Sequence, residues 1–328
     1  MLQSKRNILF RCDQNYKSGF GHFSRCLNFA RLLIKEANFK PFFIGNYHNF
    51  SIELLKKYKI EYKQIESKDF SFFDASFFTQ FEYLVIDSYL YQQDYIKKIV
   101  ALPIFTIFID DECILDFTNA DLVINFRVGQ ENLKYASKQK ALGANHFIYK
   151  PELLEIRKNK TSTETIKSVL LFFGGLGLSA KYVDTIIKSL HEINEKIKIY
   201  YLSNDFSYLT KNSRDKIIPI KPTFEIEKVL TLVDCVINGG GLIKYECAFC
   251  KIPSASISTT KLQYEDTLVL TEKKLIFDLG YVEETSEELL SENVKKFVLS
   301  KTFKQEFVEA SEMYFTEKSV DNILELIN

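Results

Sequence analysis

The chain has 328 residues, 46% hydrophobic and 26% charged, enough to bury the cores of two ordinary domains. Its 43 basic and 43 acidic side chains cancel, which argues against a bulk attraction to nucleic acid and leaves only a local basic cleft open. No apolar run approaches the about 20 residues that span a bilayer, and Met1 to Arg6 lead straight into a strand-like run with no apolar leader. A cytoplasmic protein without an integral membrane segment is therefore expected.

In chain order, short apolar runs predict strands at 7–11, 40–44, 83–87, 104–109 and 121–124, and amphipathic spacing predicts helices at 22–38, 49–58, 92–101 and 131–141. Tyr83-Leu84-Val85-Ile86-Asp87 and Ile104 to Ile109 are apolar almost throughout, as parallel strands covered on both faces must be. A polar run at 156–166 reads as a linker. Beyond it the alternation restarts, with strands at 168–173, 197–202, 234–237 and 253–258, helices at 179–193, 224–232 and 242–250, and two helices in the tail 303–328. The expectation is an α/β protein of two Rossmann-like domains, 1–157 and 166–328, with a ligand cleft between them and the last helices free to pack back on the first domain.

Three glycine turns follow strands: Gly19-Phe20-Gly21, Gly174-Gly175-Leu176-Gly177 and Gly239-Gly240-Gly241. In open parallel sheets ligands sit at the carboxyl ends of strands, so all three turns can line one cleft. Glycines there let the backbone approach an anion, and the following helix presents free N–H groups. His22 closes the first turn, where it can act as a base near neutral pH or simply cap the helix. Six cysteines scattered over the chain fit reduced thiols. Cys247 and Cys250 form a CxxC without further metal-ligand partners nearby, which favours helix packing over zinc or redox chemistry. His48, His146 and His191 lack any comparable context.

The segment Gly19-Phe20-Gly21-His22-Phe23-Ser24-Arg25-Cys26-Leu27, preceded by Arg11 and Asp13, resembles the G-x-G-H-x-x-R-x-L signature of the PseG/SpsG-like UDP-sugar hydrolases of pseudaminic acid biosynthesis. Asp87-Ser88-Tyr89, the Asp110-Asp111 pair, the stretch from Leu142 to Glu152, Phe173-Gly174-Gly175, and Ile237 to Gly241 with Glu246 and Gln263 extend the likeness along most of the chain. Five positions depart from the pattern: Lys150 stands where Arg is usual, Leu176-Gly177 where Thr-Asp is usual, Leu242 where Ser or Thr is usual, and Leu262 where Asn is usual.

The resemblance implies a GT-B fold akin to MurG-type glycosyltransferases. It implies hydrolysis of a UDP-linked 2,4-diacetamido-2,4,6-trideoxyhexose in nonulosonic acid biosynthesis, the chemistry that feeds flagellin glycosylation. His22 is then the base that activates water for inverting attack at the anomeric carbon, since UDP leaves with little acid help. Asp13 either holds the His22 tautomer or belongs to the turn. Gly19, Gly21, Arg25 and Tyr89 fall on the sugar side. Gly174, Gly175, Gly239, Gly240, Gly241, Leu242, Glu246 and Gln263 fall on the nucleotide side, with Glu246 accepting the ribose hydroxyls. Turn N–H groups neutralise the diphosphate, so neither a metal nor another cofactor is called for. An acceptor hydroxyl replacing water would make the same site a glycosyltransferase, and loss of turnover would leave a nucleotide-sugar binding protein.

Overall fold

A computed structural model describes residues 5–14, 20–66, 75–89, 91–161, 165–174 and 177–327. The chain divides into two compact units, residues 1–151 with 316–328, and residues 152–315.

The first unit begins β1 (Arg6–Cys12), α1 (Gly21–Ala37), β2 (Phe39–Gly45), α2 (Asn49–Lys57), β3 (Glu61–Gln64), α3 (Ala75–Phe78), β4 (Tyr83–Asp87) and α4 (Gln93–Ile99). It continues with β5 (Phe105–Ile109), β6 (Leu122–Asn125), β7 (Gln139–Leu142) and a 3-10 turn at Ala144–His146. Its seven strands run parallel in the order β3-β2-β1-β4-β5-β6-β7. The strand order reverses between β1 and β4, whose ends lie side by side with Cys12 opposite Asp87. Such a reversal opens a crevice at the carboxyl ends of the two strands. One face of the sheet packs Leu9, Leu84, Ile86, Ile96, Ile99, Phe108 and Val123. On α1, Phe29 meets Phe10 edge-on at 6.0 Å, and Phe10 stacks on Phe43 at 4.9 Å. Asn38, left-handed at φ 54°, ends α1 and returns its N–H to Leu33.

The backbone closes tightly where β2 ends. A Cβ built on Gly45 would lie 1.9 Å from the Cys12 carbonyl oxygen, so only glycine fits there. Gly45→Ala is expected to cost about 3 kcal/mol by overpacking, a fall of roughly 5–10 °C in the melting temperature, checked by thermal unfolding.

The second unit holds α5 (Leu153–Asn159), β8 (Ser168–Phe172), α6 (Ala180–Ile193), β9 (Lys198–Leu202), α7 (Lys211–Arg214), β10 (Ile217–Ile220) and α8 (Ile226–Leu230). There follow β11 (Cys235–Asn238), α9 (Ile243–Phe249), β12 (Ser254–Ser258), α10 (Lys261–Glu272), β13 (Phe277–Tyr281), α11 (Glu287–Leu299) and α12 (Lys301–Tyr314). Its six parallel strands are ordered β10-β9-β8-β11-β12-β13, reversing between β8 and β11. Every residue of β11 and β12 is buried, as expected of strands covered on both faces. Side-chain oxygens cap four of its helices: Thr210 caps α7, Thr260 and Gln263 form a capping box on α10, and Ser286 and Ser300 cap α11 and α12.

The last helix, α13 (Ser319–Glu325), belongs to the first unit, where Ser319 donates to the Phe147 carbonyl at 2.8 Å and Asn322 to that of Asn145 at 3.0 Å. Helix α5 lies at the start of the polar run 156–166 and is held inside the second unit. There Arg157 donates to the carbonyls of Phe249 and Phe315, each at 2.6 Å. One expected element is corrected. Residues 131–138 are irregular and 139–142 form β7, whereas the spacing had predicted a helix over 131–141. Tyr135 is drawn inward, donating to Asp110 at 2.5 Å and accepting from Asn125 at 2.9 Å. Pairing of 139–142 with β6 then satisfies the edge, and tertiary contacts override local helix propensity. Strands β3, β7, β10 and β13 and helices α3, α5, α7, α10 and α11 have no counterpart in the sequence reading.

Candidate active site

In the first unit, the crevice between β1 and β4 gathers side chains from three elements. His22 is the second residue of α1 and Arg25 lies one turn further on, both buried. The three-residue spacing puts them on one helix face, directed at the end of β4. There Asp87, with no exposed surface, receives both. His22 Nδ1 lies 2.5 Å from Asp87 Oδ1. Arg25 Nε donates to Oδ2 at 2.5 Å and Nη2 to Oδ1 at 2.7 Å, a two-pronged grip on one carboxylate. The thiol of Cys26 adds a weak donor to Oδ2 at 3.7 Å.

A third element, the turn after β5, supplies Asp111. Arg25 Nη1 donates to both Asp111 oxygens at 2.9 Å, and the Tyr89 hydroxyl donates to Oδ2 at 2.5 Å. The Tyr89 ring, 61% exposed, stands edge-on to the His22 ring with centroids 4.4 Å apart. A chain of charge-assisted bonds thus runs from His22 through Asp87, Arg25 and Asp111 to Tyr89.

The electrostatics follow. Burial by itself raises the Asp87 pKa, but the charges and hydrogen bonds of Arg25 and His22 outweigh it and hold the carboxyl at about 2. Burial pulls the Arg25 pKa down, yet Asp111 and Asp87 together lift it well above its ordinary value. A carboxylate kept ionised can only accept, so the proton shared with His22 sits on Nδ1. With its Nδ1 proton given to Asp87, the ring leaves Nε2, which has no hydrogen-bond partner among the described residues, as the proton acceptor.

Asp13 lies elsewhere in the network. Its Oδ1 accepts from Arg11 Nη1 and from the Asn46 amide, each at 2.8 Å. It therefore braces the loops after β1 and β2, and Asp87, not Asp13, is the carboxylate on the His22 ring. Gly21 is exposed, with open space where a Cβ would be. Gly19 lies outside the described residues, as do Gly175 and Leu176 of the second glycine turn. Asp110 accepts from the amides of Glu112 and Cys113 at 3.1 and 2.6 Å, so it shapes the turn that presents Asp111. His146 and His191 bond backbone carbonyls of Leu142 and Ile197.

In the second unit, the turn between β11 and α9 lies at the β8/β11 reversal. Asn238 Oδ1 accepts from the Gly240 amide at 2.8 Å, holding Gly240 at φ +85°. A Cβ on Gly240 would lie 3.0 Å from that of Gln263 and 3.2 Å from the Ser256 hydroxyl, while one on Gly241 would meet nothing. A Cβ on Gly239 would lie 3.2 Å from the Phe173 carbonyl, which puts this turn against the strand end that leads into Gly174. Leu242 and Glu246, at the head and middle of α9, are half-buried. Gln263 Oε1 accepts from Thr259 Oγ1 at 2.8 Å and from the Thr260 amide at 3.2 Å, so its oxygen is spent on the α10 cap. Cys247 and Cys250 are buried free thiols whose pKa values burial pushes well up, a packing environment. Among the described residues no group of three or more His, Cys, Asp or Glu side chains could hold a metal ion, and no helix is long and apolar enough to cross a membrane.

Asp87 and Asp111 are the site members whose roles sequence reading missed. Their signal was position: Asp87 ends an apolar strand at the reversal, and Asp111 lies two residues past the apolar strand beside it.

Two parallel-sheet Rossmann-like units of seven and six strands define an α/β protein of the GT-B fold class. No protein-family model matches the chain. An uncharacterized protein of Methanocaldococcus jannaschii is 25% identical over 199 residues, 56% of this chain and 41% of that protein. The chain thus spans about two fifths of the length of this curated relative. Among solved structures, Phytolacca americana UGT2 complexed with UDP-2-fluoro-glucose and pterostilbene aligns with a TM-score of 0.72 at 11% identity, covering 98% of each chain. Acinetobacter baumannii MurG aligns at 0.66 and 11%, covering 98% of this chain and 99% of its own. S. aureus MnaA with UDP aligns at 0.62 and 11%, covering 98% and 96%. At such identities the likeness is one of fold.

Proposed function

We propose that the protein is a nucleotide-sugar hydrolase in which His22 is the general base. The observation that carries this reading is the 2.5 Å contact between His22 Nδ1 and the buried Asp87 carboxylate. It holds the ring in the tautomer that leaves Nε2 free, and it stabilises the imidazolium formed when Nε2 takes a proton. Water losing that proton attacks the anomeric carbon; the bond to the nucleotide's phosphate oxygen breaks, and the diphosphate leaves with the electron pair. Direct attack from the opposite face inverts the centre. In the second unit, the Gly239–Gly241 turn supplies N–H donors for a diphosphate, and Glu246 supplies the carboxylate for a ribose. UDP is the nucleotide of choice because proteins of like fold hold UDP, as in S. aureus MnaA, or a UDP-sugar, as in Phytolacca americana UGT2. The sugar proposed is a 2,4-diacetamido-2,4,6-trideoxyhexose, on the resemblance of the His22 segment.

A second reading has one observation in its favour. The Phytolacca americana UGT2 complex holds pterostilbene beside the nucleotide sugar, so an acceptor hydroxyl could take the place of water at the same base. One experiment separates the two. Purified protein is incubated with UDP-linked diacetamido-trideoxyhexose alone, and UDP is followed by coupled assay while the sugar anomer is read by NMR. Acceptor-independent UDP release with an inverted sugar is the expected result. Release that requires an added acceptor would replace hydrolysis with transfer, and no release from any nucleotide sugar would defeat both.

Gly240→Ala tests the nucleotide half of this reading by itself. The left-handed backbone costs an alanine about 1–2 kcal/mol, and its Cβ would press on Gln263. UDP affinity is expected to fall roughly tenfold, measured by calorimetric titration, with the melting temperature of the ligand-free protein as the control.

A further inference from the structure

Asp111 does not touch His22, yet both structures that flank the His22 ring depend on it. Behind the ring, Arg25 Nη2 is 3.4 Å from His22 Nδ1. Both nitrogens carry protons, and both reach for Asp87 Oδ1, at 2.7 and 2.5 Å. What keeps the guanidinium from taking this oxygen for itself is its other end, where Nη1 is gripped by both Asp111 oxygens at 2.9 Å. Beside the ring, Tyr89 is mostly exposed, and its hydroxyl is anchored to Asp111 Oδ2. Asp111 is itself fixed through its backbone, because Arg127 donates to its carbonyl oxygen at 2.9 Å. The Phe126 ring lies under the Arg25 guanidinium, 5.8 Å from its centre.

We propose that Asp111 is a positioning residue for His22. It acts through Arg25, whose plane it sets, and through Tyr89, whose ring it holds against the imidazole. This rests on the reading of His22 as the base. Three of the roughly four acceptor directions of the Asp111 carboxylate are taken by Arg25 and Tyr89, which makes it a poor direct ligand for a sugar. Its negative charge matters as well as its shape. Arg25 is shared between two carboxylates and so stays midway between them. With one carboxylate neutral, it moves its weight onto Asp87 and competes with the histidine.

The test reads the ring directly. The ¹⁵N resonances of the His22 imidazole, assigned against His22→Gln, report its tautomer in the ligand-free protein. Wild type is expected to show a ring protonated at Nδ1. Asp111→Asn is expected to show a mixture with the Nε2-protonated form, and Asp111→Glu, which keeps the charge, to restore most of the wild-type pattern. In turnover, Asp111→Asn is expected to lower kcat roughly tenfold to a hundredfold with KM changed less than about threefold, the signature of a base displaced by a fraction of an ångström. An unchanged His22 spectrum in folded Asp111→Asn would overturn the proposal. Should that variant fail to fold, Tyr89→Phe cuts one arm and leaves the ion pair: a shifted His22 signal supports the assignment and an unaltered one overturns it. If wild type turns over no nucleotide sugar, the hydrolase and transferase readings fall, and the ring signature still decides the role of Asp111.

Discussion

Replacing His22 with alanine is expected to reduce turnover of a nucleotide sugar by roughly 10²–10⁴-fold, the span that a positioned general base contributes. The loss should fall on kcat. Binding energy for a nucleotide sugar resides mostly in the nucleotide, and His22 is not in the unit that carries the Gly239–Gly241 turn. The substitution removes a small buried side chain near the start of α1, so part of any observed change could come from a loosened helix. Two measurements separate these causes. Imidazole added to the His22→Ala protein should restore part of the rate if the cavity accepts it as a base, and thermal unfolding should show only a modest drop. A His22→Ala variant that kept wild-type kcat would remove His22 from the chemistry.

The second large effect is expected at Asp87. Asp87→Asn retains size but removes the charge that Arg25 and His22 share. The amide can face one of them with its oxygen, and must turn its NH₂ toward another donor. A buried ion pair that loses one partner costs on the order of 3 kcal/mol or more, and a base that loses its fixed tautomer costs on the order of 10³-fold in kcat. The acid limb of stability tests the same contact in the unmutated protein. The folded carboxyl, at about 2, lies below its unfolded value near 3.8. Its contribution is therefore present above pH ~4 and is lost as pH falls toward ~2, amounting to about 2 kcal/mol. Urea titrations across this window should show a steeper loss in wild type than in Asp87→Asn. Equal slopes would mean that Asp87 does not titrate as a held carboxylate.

Much of the architecture was legible because its signals are local. Leu84, Val85 and Ile86, and likewise Ile107 and Phe108, are buried in succession because their strands are covered on both faces, so these strands read as continuous apolar runs. Cys26, Phe29 and Leu33 on α1 repeat at helical spacing because one face meets the sheet. Edge strands broke the pattern. Most residues of β3 are exposed, and β10 runs half-exposed through Pro219, so neither carries the apolar run that marks a central strand. The helix expected over 131–141 failed for the opposite reason. Its residues favour helix, but Tyr135 finds partners in Asp110 and Asn125, and the segment from Gln139 pairs with β6.

The amino-acid sequence alone determined that the protein is α/β, that His22 stands at the head of the helix that follows the first strand, and that a glycine turn lies late in the chain. These are matters of spacing between neighbours, and propensity acts over a few residues. Which carboxylate meets His22 was decided only by tertiary structure. Asp13 is nine residues from His22 and Asp87 is sixty-five away, yet strand order reverses between β1 and β4 and brings the end of β4 against α1. That crossover delivers Asp87 to the histidine, while Asp13 is already taken locally by Arg11, two residues before it. The register of parallel strands depends on the packing of the whole sheet, which no short window of sequence contains.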